Sequence, residues 1–231
     1  MSTTLTEDIK KEPLNPPETT QTAADLIRQL GGIPLERIRI RPPIGTATEQ
    51  DVIDIEAYEN RLFELVDGVL VEKAMGFRES MLAAVIIRFL GNFVADRNLG
   101  LVTGSDGMMR LAPGLVRYPD VAFISWATLK GRVPTVPVPD VAPDLAIEVL
   151  SASNTDAEMQ RKLREFFGAG TRLAWLIDPE TRTAAVYTTP GQMVLLTEAG
   201  TLDGGSVLPG FTLPLKQLFA ELDRSGAVEI K

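Results

Sequence analysis

The amino-acid sequence predicts a domain of the α/β or α+β class, with a mixed β-sheet flanked by helices. The pattern at 62–71 places two apolar runs around Asp67-Gly68, which is typical of a β-hairpin. Residues 144–177 follow a strand–helix–strand pattern, as a crossover between parallel strands requires. The 231 residues are 45% hydrophobic and 23% charged, which is enough to bury a sizeable core.

The N-terminal part is predicted to be an appendage. Thr22 and Asp25 form a capping-box pattern ahead of a short helix, which Gly31-Gly32 ends. Residues 36–43 alternate Arg and Ile, which indicates a short strand with one basic face, and 44–51 is predicted to be a loop. The predicted divisions are a flexible tail at 1–20, a helix and strand appendage at 21–58 and the main domain at 59–231.

The main domain is predicted to alternate short strands with three helices. Apolar residues recur at helical spacing from Leu82 to Phe93, and Gly- and Pro-rich stretches separate the strand-like pieces. The predicted helices are 79–97, 155–169 and 213–222. The predicted strands after the hairpin are 101–104, 107–111, 115–124, 144–150, 172–177, 183–188 and 192–197.

The composition excludes several chemistries. The chain has no His and no Cys, so a disulfide framework, a Cys or His zinc site and a Ser-His-Asp triad are excluded. Carboxylates, Lys, Tyr, Ser or Thr, and a metal bound by oxygen such as Mg²⁺ remain. The longest apolar stretch, 81–90, contains Arg88 and is far too short to span a bilayer. We expect a cytoplasmic protein without a membrane partner.

Three acids stand at strand-like positions. Glu148 is the charged residue of a strand that is otherwise apolar on both faces, so it is either paired with a base or bound to a metal. Asp120 follows a proline and begins an apolar strand, where it could simply cap the turn. Alternation places Glu64 on the face opposite Phe63 and Leu65, and a solvent-facing side chain is the simplest interpretation.

Lys162 lies on the predicted helix that follows the Glu148 strand. At 100° per residue, Met159, Leu163 and Phe166 form its buried stripe, and Lys162 falls on the border of that stripe. Lys162 is therefore either an ordinary lysine with a buried stem, paired with Glu158, or a base brought near the acids. Carboxylates that hold Mg²⁺, together with a lysine, are what phosphodiester hydrolysis requires.

Several ordered blocks of sequence resemble the Uma family of restriction-endonuclease-like proteins, which belongs to the PD-(D/E)xK nuclease superfamily. The blocks are FELVDGVLVE, RYPDVAFIS, PDLAIEVLSASNT with FFGAGTRLAWLIDP, and TLDGGSVLPGFTLPLKQLF. The resemblance runs from about residue 60 to 222. It implies a restriction-endonuclease-like core, with a metal site at one end of the central hairpin.

The resemblance also implies roles for individual residues. Asp120 matches the aspartate after proline, Glu148 matches the second acid, and Glu64 matches the glutamate of the first block. Leu150 stands where the superfamily has its lysine, and Lys162 fits the position on the following helix that the Uma family uses. We expect Asp120, Glu148 and the backbone carbonyl of Val149 to bind Mg²⁺ or Mn²⁺, with Glu64 as an auxiliary ligand and Lys162 at the attacking water.

The implied activity is a Mg²⁺-dependent DNA endonuclease, and restriction-type nucleases imply a homodimer. With 23 basic against 31 acidic residues, the net charge of −8 would repel DNA, so local basic clusters must bind its phosphates. We expect Arg161, Arg164 and Arg172 to do so, and the Arg37, Arg39 and Arg41 cluster to be a solvated face. The alternative is a catalytically silent binding or assembly protein on a nuclease scaffold.

Overall fold

Two large β-sheets and the helices around them make up most of the structure, a computed structural model that describes residues 22–74 and 76–225. The predicted class, a mixture of α-helices and β-sheet, is confirmed. The tail predicted at 1–20 lies outside the described residues.

The helices are α1 (Ala23–Gln29), α2 (Glu49–Glu59), α3 (Phe77–Asp96), α4 (Asp156–Ala169) and α5 (Leu215–Phe219), with 3₁₀ turns at Leu35–Arg37 and Ala220–Asp223. The strands are β1 (Ile38–Arg39), β2 (Phe63–Val66), β3 (Val69–Glu72), β4 (Gly100–Thr103), β5 (Met109–Ala112), β6 (Leu115–Arg117), β7 (Val121–Ser125), β8 (Leu145–Val149), β9 (Leu173–Asp178), β10 (Thr183–Thr189), β11 (Gln192–Leu196), β12 (Thr201–Asp203) and β13 (Thr212–Pro214).

The six-stranded sheet has the order β11-β10-β9-β8-β7-β4 and is mixed, because β8 and β9 run parallel while its other neighbours run antiparallel. Helix α4 makes the crossover between β8 and β9, as a parallel pair requires. The five-stranded sheet is antiparallel, with the order β1-β3-β2-β6-β5. Its β2–β3 hairpin turns at Asp67-Gly68, where both residues have positive φ, as a type I′ turn demands.

The main core lies between the six-stranded sheet and helices α3 and α5. Leu82, Ile86 and Leu90 of α3 pack with Phe123 and Trp175 of the sheet, and all five are buried. Helix α4 covers part of the opposite face. No helix in the described ranges is long and apolar enough to cross a membrane.

The predicted strand at 115–124 is two strands, and this break positions the site described below. Strand β6 pairs with β2 in the five-stranded sheet, whereas β7 pairs with β8 in the six-stranded sheet. Tyr118, Pro119 and Asp120 connect the two strands, because proline cannot donate a ladder hydrogen bond and the chain changes sheet there.

The prediction of a basic strand at 36–43 is wrong in most of its length. The segment forms a 3₁₀ turn and then the two-residue β1, and Arg37 is buried in a two-pronged ion pair with Glu158 of α4. The prediction of a loop at 44–51 is also wrong at its end, because α2 begins at Glu49. Alternation alone could not show that a neighbouring helix supplies a carboxylate to Arg37. The boundary at residue 58 between the N-terminal appendage and the main domain stays a prediction.

Gly31 lies where the backbone after α1 approaches the first turn of α4. Its φ is +91°, and a Cβ there would lie 2.6 Å from the backbone nitrogen of Glu158. The hydroxyl of Thr155 also donates to the Gly31 carbonyl. Gly32 has a φ of +73° but open space around it. Gly31 therefore allows the N-terminal segment to approach α4 closely.

This difference gives a matched pair of variants. We expect Gly32→Ala to lower the free energy of unfolding by about 1 kcal/mol, the cost of a positive φ. We expect Gly31→Ala to lower it by about 2 to 4 kcal/mol, because it adds a backbone clash to the same conformational cost. Urea denaturation of both variants measures the difference. Equal losses would mean that the approach of Gly31 to α4 does not contribute to stability.

Candidate functional site

The candidate site lies where the chain passes from the five-stranded to the six-stranded sheet. Asp120 directly precedes β7, and Glu148 lies on the neighbouring β8, where Val121 is opposite Ile147. Lys162 reaches Glu148 from α4, and Glu64 reaches Lys162 from β2. The structure thus brings together all four residues that the sequence predicts as catalytic: ion pairs join Glu64, Lys162 and Glu148, and a backbone hydrogen bond from Val149 links Asp120 to the Glu148 strand. Their catalytic roles stay a prediction.

Asp120 is held by both of its oxygens. Its Oδ2 accepts a hydrogen bond of 2.7 Å from the backbone N–H of Val149, the residue after Glu148. Its Oδ1 lies 2.8 Å from Nζ of Lys73. Because Asp120 is tied to the strand that carries Glu148, the two acids are fixed relative to each other.

Glu148 and Glu64 share the ammonium of Lys162. Nζ of Lys162 lies 3.2 and 3.3 Å from the two carboxylate oxygens of Glu148 and 3.0 Å from Oε1 of Glu64. All three residues are buried. Of the two interpretations of Lys162, the structure supports a base brought to the acids, and Glu158 pairs with Arg37 instead.

Glu64 is fully buried, so the solvent-facing interpretation is wrong. Its second oxygen, Oε2, lies 2.6 Å from the guanidinium of Arg117, which also pairs with Glu165 of α4. The neighbours of Glu64 on that face, Val66 and Val71, pack under Leu30 and Ile33. Alternation located the face correctly, but it could not show that the N-terminal segment and α4 cover that face.

Lys73 is the residue of this site that the sequence reasoning missed. It follows β3 directly, and its ammonium contacts Asp120 and the carbonyl of Tyr118. The one signal in the sequence was its place at an end of the hairpin, because the resemblance implies a metal site at one end of the central hairpin.

Comparison with protein-family models gives a match over residues 50–216, to the Uma2 family, described as "Putative restriction endonuclease". The chain belongs to the Uma2 family. The crystal structure of a "putative nuclease belonging to DUF820" from Anabaena variabilis ATCC 29413 matches with a TM-score of 0.63 and 20% sequence identity. The match covers 71% of this chain and 92% of that chain, and it shows a shared fold. A search of curated proteins finds no match.

The resemblance read from the sequence blocks is therefore confirmed at the level of the Uma2 family. The matched range, 50–216, includes all four predicted catalytic residues and Lys73. It begins at α2, so α1, β1 and Arg37 lie before it. The contacts of Arg37 with Glu158 thus join a segment outside the matched range to the Uma2 domain.

The electrostatics of this Uma2 site separate its two glutamates. Burial, with the charge of Asp120 beside it, raises the pKa of Glu148 to about 7, although Lys162 and Lys73 act in the opposite direction. Burial also acts to raise the pKa of Glu64, but Lys162, Arg117 and Lys73 outweigh it and hold that pKa well below its usual value. Glu148 is therefore the acid of the pair that takes up a proton more readily.

The raised pKa of Glu148 predicts a loss of stability with rising pH. Folding stabilises the protonated form, so this contribution is complete below the usual value of 4.5 and is lost as the pH rises through about 7. We expect the free energy of unfolding of the wild type to fall by about 3 kcal/mol relative to Glu148→Gln over that range. Urea denaturation from pH 4 to pH 8 measures it. A constant difference between the two proteins would contradict the raised pKa.

The donor set of the Uma2 site fits a small hard cation. Asp120, Glu148 and the carbonyl of Val149 supply oxygen atoms, and Mg²⁺ is commonly held by one or two carboxylates with water and substrate phosphate completing its shell. In the described ranges, no group of three or more Asp or Glu residues is placed to hold a metal ion. A cation bound here would therefore have at most two carboxylate ligands from the described residues.

The predicted phosphate-binding arginines differ in their surroundings. Arg161 pairs with Glu165 and Asp67, and Arg172 pairs with Asp144, whereas Arg164 is exposed. Arg161 and Arg164 line an open hollow of about 440 Å³, together with Gln29, Asp67 and Glu165. Glu165 links this hollow to the buried acids through Arg117.

Proposed function

We propose that this Uma2 protein is a Mg²⁺-dependent endonuclease that hydrolyses phosphodiester bonds of DNA. The observation that carries the proposal is the position of Asp120, directly before β7, next to Glu148 on the adjacent β8, with Lys162 on both oxygens of Glu148. The family description supports a nuclease, and the sequence, without His or Cys, has the residues for a chemistry of carboxylates and lysine.

In this proposal Asp120, Glu148 and the carbonyl of Val149 hold the cation, with Glu64 as an auxiliary acid. When bound, Mg²⁺ or Mn²⁺ lowers the pKa of a bound water and neutralises the charge that develops on the phosphate. Lys162 orients the attacking water through its fixed ammonium. Glu64 holds that ammonium in place, because its other oxygen is fixed by Arg117.

DNA would approach through the hollow lined by Arg161 and Arg164. These side chains contact phosphates, which gives affinity without sequence selection. We extend the proposal to Arg172, whose side chain is half exposed beside Asp144. We also propose a homodimer, because two sites are needed to cut both strands together. If light scattering shows a monomer at micromolar concentration, the proposed homodimer is wrong.

A second candidate function is a binding or assembly protein without catalysis. The observation that favours it is that each of the three acids already has a cationic partner: Lys73 for Asp120, and Lys162 for Glu148 and Glu64. Buried ion pairs of this kind can be purely structural. Calorimetric titration with Mn²⁺ separates the two functions, because a structural network would bind no metal.

The test of the proposed function is incubation with supercoiled and linear DNA, with Mg²⁺, Mn²⁺ or EDTA. We expect nicked and linear products with the metals and none with EDTA. An absence of metal-dependent products from both substrates would contradict the proposal.

A further inference from the structure

The ammonium of Lys73 is enclosed at the site and contacts the carboxylate nearest to it. The Lys73 side chain is 4% exposed, and Nζ lies 2.8 Å from Oδ1 of Asp120, whose own side chain is 5% exposed. The other oxygen of Asp120 accepts the N–H of Val149. Oδ1 of Asp120 is therefore the oxygen that a metal ion would use, and Lys73 occupies it.

The backbone of Lys73 is fixed while its side chain is long. The N–H of Lys73 donates to the carbonyl of Leu62 over 2.9 Å, which extends the β2–β3 ladder by one residue. Arg37 donates to the carbonyl of the preceding Glu72. A lysine side chain is a flexible four-carbon stem with a single charge at its end, so the ammonium can move without the strand.

Lys162 differs from Lys73 in how firmly it is held. Lys162 contacts two glutamates, Glu148 and Glu64, and the second of these is fixed by Arg117. Lys73 contacts one carboxylate and one backbone carbonyl. Lys73 is therefore the cation of the site that can be displaced at the lower cost.

We propose that Lys73 is an internal counter-cation that occupies the metal-binding oxygen of Asp120 in the metal-free protein and leaves it when a divalent cation binds. This inference rests on the proposed function, because it takes Asp120 as a metal ligand. Lys73 neutralises Asp120, whose charge would otherwise be buried without a partner, and it acts as a positioning residue. It also lies close enough to lower the pKa values of Glu64 and Glu148.

Two consequences follow for metal binding. The ion must displace Lys73, so part of its binding free energy is used to break an existing ion pair. In addition, the positive charge of Lys73 repels the ion at close range. Removing that charge at constant side-chain volume should therefore strengthen metal binding and lower the stability of the metal-free protein.

The test uses Lys73→Met in the full chain, with Mn²⁺ as the probe. We expect calorimetry to show Mn²⁺ binding at least about tenfold tighter than in the wild type, since one charge at this range changes binding free energy by about 1.4 kcal/mol or more. We expect a lower melting temperature without metal, and a larger rise on adding Mn²⁺. Arg110→Met is the matched control, because it removes a cation from Glu49 outside the site and should leave Mn²⁺ affinity unchanged.

Adding Asp120→Asn to Lys73→Met should abolish the gain in affinity, which assigns it to Asp120. If Lys73→Met folds only with Mn²⁺, that result also supports the proposal. If Lys73→Met does not fold at all, Lys73→Gln, which retains a donor for the Tyr118 carbonyl, replaces it in the same titration.

The titration distinguishes a failure of the proposed function from a failure of the role proposed for Lys73. If neither the wild type nor the variant binds Mn²⁺ at millimolar concentration, the proposed function fails and this inference fails with it. If the wild type binds Mn²⁺ and the variant binds it equally or more weakly, only the role of Lys73 is overturned.

Discussion

Replacing Glu148 by glutamine is expected to lower metal-dependent DNA cleavage about 10³-fold. The substitution keeps the volume of the side chain and removes the charge that would hold the cation beside Asp120. Metal ions contribute several kcal/mol of stabilisation to the transition state, and each 1.4 kcal/mol is a factor of about ten in rate. The measurement is the initial rate of plasmid nicking at saturating Mn²⁺, together with Mn²⁺ affinity by calorimetry.

Asp144→Asn is the matched control for this variant. Asp144 precedes the same strand at its opposite end, where it is also buried and pairs with Arg172. We expect it to lower stability but to leave cleavage by the folded protein at saturating DNA within about twofold of the wild type, since Asp144 contacts neither Asp120 nor Lys162. Saturating DNA is needed because Arg172, the partner of Asp144, belongs to the proposed DNA-binding residues. If Glu148→Gln cleaves as fast as the wild type, Glu148 is not a metal ligand and the proposed mechanism is wrong.

The sequence predicted the candidate site best where a single element determines the environment. Glu148 interrupts an apolar strand, and its burial follows from the apolar residues on both faces of that strand. Lys162 lies on the border of the buried apolar stripe of α4, and the spacing of residues within one helix is enough to predict such a stripe. Helix α4, the crossover between β8 and β9, then brings Lys162 onto the face of the six-stranded sheet that carries Glu148.

The predictions of side-chain exposure that failed depended on contacts between elements far apart in the chain. Arg37 meets Glu158 across 121 residues, and Glu64 is covered from α4 and the N-terminal segment. Alternation in a strand shows which side chains share a face, but it does not show what packs on that face. Lys73 was missed for the same reason, because its partner Asp120 belongs to the connection between two sheets.

Arg117 is the residue whose loss should cost the most stability. Its guanidinium lies between Glu64 and Glu165, and its side chain is 4% exposed. Replacing it with Met leaves the buried Glu64 with Lys162, which it already shares with Glu148. Because a buried charge that loses its partner keeps its desolvation cost, we expect Arg117→Met to lower the free energy of unfolding by about 3 to 5 kcal/mol.

A double variant shows whether the lost charge partner is the cause. Arg117→Met with Glu64→Gln removes both charges of the pair, and we expect it to recover at least half of the loss, because neutral replacements of buried ion pairs are often tolerated. Urea denaturation at pH 7 measures all three proteins. Arg182→Met is the control, because it removes a cation from an ion-pair network that water screens. We expect it to lower the free energy of unfolding much less than Arg117→Met does. If the double variant is as unstable as Arg117→Met, the lost stability comes from packing around the guanidinium and not from the lost charge partner. Glu64 would then keep its charge without Arg117.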